Sequence, residues 1–212
     1  MKKIPDDELS KILVRKGMYM NKLILTSRGL TTGIGRELIG AEIRKYDLNG
    51  KRIFIFHEPN VLTEALIREA CINMGFEDCN IIFSSKYNNV EDIANCDFYY
   101  VGEGNTFEIL SIMRERDVDS AIITGFGQDN KVYIGTSAGA TIAGSSIEEM
   151  MDFDTNFVGM KDFKALGLYD GLIIPHYNRH ELKNYIKNSP GIEDKYKNIV
   201  NVSNDGILVV EV

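Results

Sequence analysis

Short apolar runs alternate along this chain with longer segments whose apolar residues recur at helical spacing. The runs that indicate buried strands are 23–25, Ile53–Phe56, Ile81–Phe83, Phe98–Val101 and 132–134. The helical spacing falls between them, at 34–46, Val61–Met74, 106–116 and 119–125. Strands that alternate with helices pair in parallel. The pattern therefore predicts an α/β fold with a doubly wound, mostly parallel sheet.

The first nineteen residues differ from the rest because they are charged and only weakly patterned. The strand signal begins just after Met20, and no repeat or low-complexity linker interrupts the remainder of the chain. A chain of 212 residues fits one large domain. We therefore expect residues 1–19 to be an extension of uncertain role and 20–212 to form a single domain.

Net charge and cysteine usage limit which classes of partner and which cellular compartment we expect for this protein. A net charge of −7 argues against a nucleic-acid or anionic-membrane partner, because both require a basic surface. No apolar run approaches the roughly 20 residues that span a bilayer, and the N-terminus lacks the apolar region of a secretory signal. Three cysteines without metal-ligand spacing indicate reduced thiols. We expect a cytoplasmic protein.

The strongest chemical signal is the stretch KVYIGTSAGATIAG at residues 131–144. A short strand, a turn with glycine on both sides of Ser137 and a run of small helix-compatible residues form the context of a G-x-S-x-G nucleophile elbow. In such a turn the serine hydroxyl projects outward and the next backbone N–H faces the reacting carbonyl. The alternative is a plain helix N-cap serine, so the rest of the chain has to supply a base and an oxyanion hole.

A second glycine-rich loop, Gly102-Glu103-Gly104-Asn105, also follows a strand and opens a helix. As a phosphate cradle it is weakly supported, because it lacks both G-x-G-x-x-G and the P-loop lysine. Its backbone N–H groups could instead face an oxyanion beside the N–H of Ala138. In a purely structural interpretation, Asn105 caps the helix, which is compatible with the oxyanion interpretation.

Three histidines are candidates for a general base. His57 follows the second strand, where a polar residue at the sheet edge is the favoured interpretation. His180 falls at a helix start and is expected to be solvated. His176 follows the apolar run and proline of GLIIPHYN, at a carboxyl strand end where this fold exposes catalytic groups. We therefore choose His176 as the base for Ser137.

A carboxylate that orients the histidine is the third expected group. Asp152, Asp154 and Asp205 are the candidates, and their spacing does not decide among them. Asp205 lies in an Asn-Asp-Gly stretch between two strand-like runs, which is by itself a strong hairpin-turn signal.

Taken together, VGEGNTFEIL, YIGTSAGA and ALGLYDGLIIPHYN resemble the peptidase E family of serine α-aspartyl dipeptidases, with cyanophycinases as more distant relatives. The resemblance covers about residues 20–210. It implies a fold like that of class I glutamine amidotransferases, a three-layer sandwich also similar to flavodoxin, with serine in place of the cysteine nucleophile.

The resemblance implies catalytic roles for Ser137 as nucleophile and His176 as base. The backbone N–H groups of Ala138 and Glu103 match the oxyanion donors, although the family often has glycine where Glu103 stands. The family's acid partner is a carboxylate in the penultimate strand-turn. Asp205 is the nearest match, with a one-residue ambiguity against Asn204.

Candidate substrate-binding residues complete the implied site. Gly104 and Asn105 belong to the oxyanion loop, and Asp152 matches a second acidic family position near the substrate. The family prefers an N-terminal aspartate, which needs a cation to pair with its carboxylate. Arg179 is a candidate for that cation, against the alternative of an exposed helix-start arginine.

The implied reaction is hydrolysis of Asp-X dipeptides through an acyl-enzyme, with no cofactor and no metal. The implied partner is a small peptide substrate, and the chain is expected to be a monomer or homodimer. Two alternatives remain open: a catalytically weak or inactive homologue that acts as a binding module, and a nucleotide-binding Rossmann-like protein. The Glu103 departure and the Asn204/Asp205 ambiguity keep the first alternative open, and the absent phosphate fingerprint disfavours the second.

Overall fold

A computed structural model describes residues 20–57, 61–87 and 89–212, so the predicted extension at 1–19 lies outside the described residues. The strands are β1 Lys22–Thr26, β2 Ile53–Phe56, β3 Ile81–Phe83, β4 Phe98–Val101, β5 Val132–Thr136, β6 Leu172–Pro175, β7 Ile199–Val202 and β8 Ile207–Glu211. The helices are α1 Gly33–Ile43, α2 Val61–Met74, α3 Val90–Ala94, α4 Thr106–Glu115, α5 Val118–Phe126, α6 Ala138–Ile142, α7 Arg179–Asn188 and α8 Ile192–Lys195. Short 3₁₀ helices lie at Asp78–Asn80 and Glu148–Asp152.

Six strands form the central sheet, in the order β3-β2-β4-β5-β1-β8. β1 to β5 run parallel to their neighbours, whereas β8 pairs antiparallel with β1 at one edge. This arrangement confirms the predicted mostly parallel α/β sheet. It also brings the carboxyl ends of β1, β4 and β5 together at one edge of the sheet, where loops of such folds carry functional groups.

Each parallel strand is apolar on both faces because helices cover both faces of the sheet. In β4, Tyr99 and Val101 belong to one buried cluster, and Phe98 and Tyr100 belong to the other. The first cluster packs under α4, α5 and α6, and the second packs under α1 and α2. Successive side chains of a strand point to opposite faces of the sheet. Because both faces are buried here, the strands appear in the sequence as continuous apolar runs rather than alternating ones.

The last two strands do not pair with each other, so the Asn-Asp-Gly stretch does not close a hairpin. β7 pairs in parallel with β6 in a separate two-stranded sheet, whereas β8 joins the central sheet. A four-residue turn, closed by the hydrogen bond from the Gly206 N–H to the Ser203 carbonyl at 3.1 Å, connects the two sheets. The turn signal itself was correct, but the partners of the flanking strands are chosen by distant segments of the chain.

Helix length also bears on the predicted absence of membrane segments. Among the helices that the structure describes, none combines the length and the apolar character needed to cross a bilayer.

Candidate active site

Ser137 occupies the turn between β5 and α6 in a strained backbone conformation. Its φ of 52° and ψ of −116° are rarely adopted by a residue with a side chain. Its backbone N–H donates to the Thr26 carbonyl of β1 at 2.9 Å, which helps to hold the turn in place. The predicted nucleophile elbow is therefore present as backbone geometry.

The two glycines of the elbow are required because the backbone segments pack without room for a side chain. A Cβ at Gly135 would lie 2.6 Å from the Gly139 carbonyl oxygen, and one at Gly139 would lie 2.0 Å from the Val101 carbonyl oxygen. The N–H of Gly139 also donates to the Gly102 carbonyl at 3.1 Å. This bond ties the elbow to the loop after β4, so the two predicted glycine-rich loops are neighbours.

The Oγ of Ser137 lies 2.8 Å from Nε2 of His176, within the range of a nucleophile–base hydrogen bond. His176 follows β6 directly and has a φ of 64°, in the left-handed region. The sequence pattern predicts a pairing of these two residues across 39 positions, and the structure places them in contact.

Ser27, a residue without a predicted role, holds the histidine in this position. Its buried hydroxyl accepts from the His176 backbone N–H at 2.9 Å and donates to the Val202 carbonyl at 2.7 Å. One hydroxyl thus links the end of β1, the end of β6 and the end of β7. Ser27 follows the strand run LILT, so the rule of carboxyl strand ends that selected His176 could also have selected it.

The group that faces the other side of the imidazole is Asn204 and not Asp205. The Oδ1 of Asn204 lies 3.0 Å from Nδ1 of His176, whereas the Oδ1 of Asp205 accepts from Nε of Arg28 at 3.0 Å. These are adjacent residues of one turn, and their side chains leave it in different directions. The expectation that Asp205 orients the imidazole is corrected to Asn204.

This contact specifies the tautomer of His176. An amide oxygen can only accept, so Nδ1 carries the proton and Nε2 is left to accept from the serine hydroxyl. A neutral amide therefore orients the ring as a triad acid would, but it brings no negative charge toward the imidazolium that forms during catalysis.

The predicted oxyanion donors flank the elbow. Ala138 is the first residue of α6, so its N–H has no acceptor within the helix. The Glu103 carboxylate accepts from the Gly29 N–H at 2.5 Å, which directs this side chain toward the loop after β1. It lines a neighbouring cavity of about 500 Å³, whereas Gly104 borders both that cavity and the one beside Ser137.

A cavity of about 280 Å³ opens beside the Ser137–His176 pair. Its remaining wall is largely apolar and aromatic and comes from β6, α6 and the 150–154 segment. The described residues that form this wall include Met150, Phe153, Asp154, Ile174 and Tyr177. Concave sites of this kind typically hold small ligands, and this volume lies just below the usual range of about 300–1,000 Å³.

The remaining predicted substrate-binding residues are not among the described residues that line this cavity. Asn105 caps α4, where its Oδ1 accepts from the N–H groups of Phe107 and Glu108 at 3.1 Å each. Arg179 is an exposed residue at the start of α7, as in the alternative interpretation. Asp152 is exposed at the end of its 3₁₀ helix.

Two residues after Asp152, Asp154 does line the cavity. Its Oδ2 accepts from both the backbone N–H and the hydroxyl of Thr106, at 2.9 and 2.5 Å. These bonds join the 150–154 segment to the start of α4. The nearby Asp152 acts on Tyr177 instead: burial, and then the charges of Glu181 and Asp152, raise the pKa of this tyrosine above its usual value.

The two other histidines lie elsewhere. His57 is buried at the end of β2, where its ring packs edge-on against Phe83 with the ring centroids 5.7 Å apart. His180 is exposed on α7, and its Nδ1 lies 3.3 Å from Nδ2 of Asn184. Over the described ranges, no group of three or more His, Cys, Asp or Glu side chains is placed to hold a metal ion.

Comparison with known proteins identifies the family. The family model of peptidase family S51 matches residues 67–211, which is more than half of the chain. Uncharacterized peptidase Lmo0363 of Listeria monocytogenes is 37% identical over 146 residues, which cover 65% of this chain and 71% of that protein. Peptidase E of Shewanella denitrificans is 32% identical over 113 residues, which cover 52% of this chain and 47% of that protein.

Solved structures show the same fold. A candidate peptidase E from Listeria monocytogenes aligns with a TM-score of 0.62 and 23% identity, covering 91% of this chain and 99% of that one. A peptidase from an acI-B1 Actinobacterium aligns with a TM-score of 0.61 and 17% identity, covering 92% and 84%. The family match includes both Ser137 and His176. Because this family model matches more than half of the chain, and the match includes the strained serine elbow, the chain belongs to peptidase family S51 and is a serine peptidase.

Proposed function

We propose that this protein hydrolyses short peptides with Ser137 as the nucleophile and His176 as the general base. The observation that carries the proposal is the 2.8 Å contact between Ser137 Oγ and His176 Nε2 at a strained elbow. A hydroxyl that donates to a neutral imidazole is poised for attack on a carbonyl carbon.

In the proposed reaction, Ser137 attacks the peptide carbonyl while His176 takes the hydroxyl proton. The N–H of Ala138 and an N–H of the 102–104 loop stabilise the oxyanion that develops. His176 then gives the proton to the leaving amine, and a water molecule activated by the same imidazole hydrolyses the acyl-enzyme. Asn204 keeps the imidazole in the required tautomer throughout, and Ser27 keeps the backbone of His176 in place.

The finer hypothesis from the family resemblance is a preference for an N-terminal aspartate, and it stays a prediction. It requires a cation near the substrate carboxylate. Arg179, three residues after His176, and Arg28, directly after Ser27, are the candidates by their position in the chain. Arg28, however, pairs with Asp205, and neither arginine is among the described residues that line the cavity.

A binding module without catalysis is the second candidate, and the neutral Asn204 favours it. An amide at this position gives the imidazolium no charge stabilisation, so turnover can be slow even when the serine is correctly placed. Reactivity of the serine separates the two candidates.

The test combines covalent labelling with turnover. Wild type, Ser137→Ala and His176→Ala are treated with a fluorophosphonate, and the labelled residue is identified by mass spectrometry. Release of free amino acids by the same three proteins is measured from Asp-Leu, Asn-Leu, Glu-Leu and Phe-Leu. We expect labelling at Ser137 and a loss of roughly 10³-fold or more in kcat for both variants. His180→Ala, an exposed histidine on α7, is the matched control and should retain activity.

Turnover that survives Ser137→Ala would disprove the mechanism. Wild-type protein that neither reacts with the fluorophosphonate nor releases amino acids would support the binding module instead.

A further inference from the structure

The loop after β1, residues 27–31, contacts two parts of the proposed catalytic apparatus at once. At its start, the Ser27 hydroxyl accepts from the backbone N–H of His176 at 2.9 Å. Two residues later, the Gly29 N–H donates to the carboxylate of Glu103 at 2.5 Å. Glu103 belongs to the loop after β4 that supplies a proposed oxyanion donor. One short loop therefore connects the general base with the oxyanion hole.

Three side-chain oxygen atoms surround the α-carbon of Gly29. A Cβ at this position would lie 2.5 Å from Oε1 of Glu103, 2.6 Å from the hydroxyl of Tyr100 and 3.0 Å from Oγ1 of Thr136. The carbonyl of Gly29 accepts from the N–H and the hydroxyl of Thr32 at 3.1 and 3.0 Å. Contacts other than Glu103 thus hold Gly29 in place, and only a residue without a side chain leaves room for the carboxylate.

The exposure of the two partners explains why the bond persists. The Glu103 side chain is exposed and lines the neighbouring cavity, whereas Gly29 is buried. A buried backbone N–H that lacks an acceptor is costly, and a hydrogen bond to a carboxylate is roughly twice as strong as one between neutral groups. The buried N–H therefore keeps the carboxylate on Gly29, although the side chain is open to the cavity.

The middle of the 102–104 loop depends on this side chain for its position. At the first residue of the loop, the Gly102 N–H donates to the last carbonyl of β2 at 2.9 Å, and its carbonyl accepts from the Gly139 N–H at 3.1 Å. Gly104 has a φ of 145°, which side chains rarely allow. Within the described part of the chain, the N–H groups of Glu103 and Gly104 donate to no other backbone group. An oxyanion donor has to be free in this way.

We propose that Glu103 is a positioning residue for the oxyanion hole. Its carboxylate, bonded to the Gly29 N–H, holds the loop so that the backbone N–H of Glu103 stays directed at the developing oxyanion. Donors that are held in advance are effective because they need no rearrangement as the charge develops. This proposal rests on the proposed function, because it assigns a role within the same oxyanion hole. In the opposite interpretation the carboxylate repels the developing charge and slows the reaction.

Two substitutions at Glu103 separate positioning from charge. Glu103→Ala removes the acceptor, so we expect kcat to fall by about tenfold while KM changes by less than about twofold. Glu103→Gln keeps an acceptor oxygen without the charge and should recover most of the lost rate. Glu115→Ala is the matched control, because it removes an exposed carboxylate from the far end of α4. Both of its kinetic constants should stay within about twofold of wild type.

Inhibition by phenylboronic acid reports on the oxyanion hole more directly than turnover does. The Ser137 oxygen adds to boron and forms a tetrahedral anion that resembles the transition state, so its affinity follows transition-state stabilisation. We expect the inhibition constant to rise in Glu103→Ala by about the factor by which kcat/KM falls. A lower kcat/KM with unchanged inhibition would overturn the positioning role.

Hydrogen exchange of the Gly29 amide, measured by NMR, tests the bond itself and needs no turnover. Exchange should be at least about tenfold faster in Glu103→Ala than in wild type, with Glu103→Gln in between. Exchange that Glu103→Ala leaves unchanged would overturn the proposal. A rise in kcat in both Glu103 variants would also overturn it, because that result is expected if the carboxylate opposes the oxyanion.

Fluorophosphonate labelling of Ser137 is measured on the same samples. Labelled, active protein whose kcat does not depend on Glu103 refutes only the positioning role. Wild-type protein that neither reacts nor turns over any peptide refutes the proposed function itself, and the catalytic role of Glu103 with it.

Discussion

The amide oxygen of Asn204 lies 3.0 Å from Nδ1 of His176, while the adjacent Asp205 pairs with Arg28. A neutral group therefore stands where a serine peptidase triad commonly has a carboxylate. Asn204 orients the imidazole as the third residue of a triad does, but it carries no charge. Orientation of the imidazole and stabilisation of the imidazolium can therefore be tested separately.

Replacing Asn204 by aspartate should restore the missing charge. We expect Asn204→Asp to raise kcat by about tenfold, because a carboxylate at about 3 Å stabilises the imidazolium that forms as Ser137 attacks. The measurement is steady-state turnover of the best dipeptide, together with the rate of phosphonate labelling. Asp205→Asn is the matched control, and it should change kcat by less than about threefold, since it removes an exposed ion pair. A large loss in Asp205→Asn without a gain in Asn204→Asp would return the orienting role to Asp205.

Removing the hydroxyl of Ser27 should reduce catalysis without preventing substrate binding. In Ser27→Ala the His176 N–H and the Val202 carbonyl lose their shared partner, and a small displacement of the imidazole costs about 10²-fold in rate. We expect kcat to fall by this order while KM changes little. Ser27→Thr, which keeps a hydroxyl, should recover part of the rate. A proportional loss of folded protein by circular dichroism, with unchanged kcat per folded molecule, would mean that Ser27 is only structural.

The strained backbone at Ser137 should make the free energy of unfolding depend on which residue replaces the serine. Glycine tolerates φ of 52° and ψ of −116° better than alanine does, so Ser137→Gly should exceed Ser137→Ala in the free energy of unfolding by about 1 kcal/mol. Both variants should be inactive. Urea denaturation measures the difference. At Ser120, exposed within α5, the order should reverse, because glycine in a helix is about 1 kcal/mol less favourable than alanine. The same order at both positions would show that the elbow is not strained.

Thiol reactivity should distinguish the three cysteines. Burial raises the pKa of Cys71 and of Cys96 to about 12, so at pH 8 only about one molecule in 10⁴ carries either thiolate. Cys79 is exposed. We expect Ellman's reagent at pH 8 to titrate one thiol quickly in the native protein and three in denaturant. Cys79→Ser should remove the fast phase, and two fast thiols in the native protein would contradict the burial.

The sequence alone determined the α/β class, the parallel sheet and the pairing of Ser137 with His176. Parallel strands are buried on both faces, so they leave continuous apolar runs in the sequence. A serine elbow needs glycines that no other residue can replace, and at Gly135 and Gly139 a Cβ would meet backbone oxygen at 2.6 and 2.0 Å. These are local constraints, and local constraints can be recognised in a linear pattern.

Only the tertiary structure decided which residues complete the site. Asn204 and Asp205 are neighbours in the chain, and the positions of His176 and Arg28 determine which of them faces the imidazole. Ser27 contacts His176 across 149 residues, and Asp154 rather than Asp152 reaches the cavity. The direction of a side chain from a turn depends on the elements that meet there, because their contacts come from distant parts of the sequence.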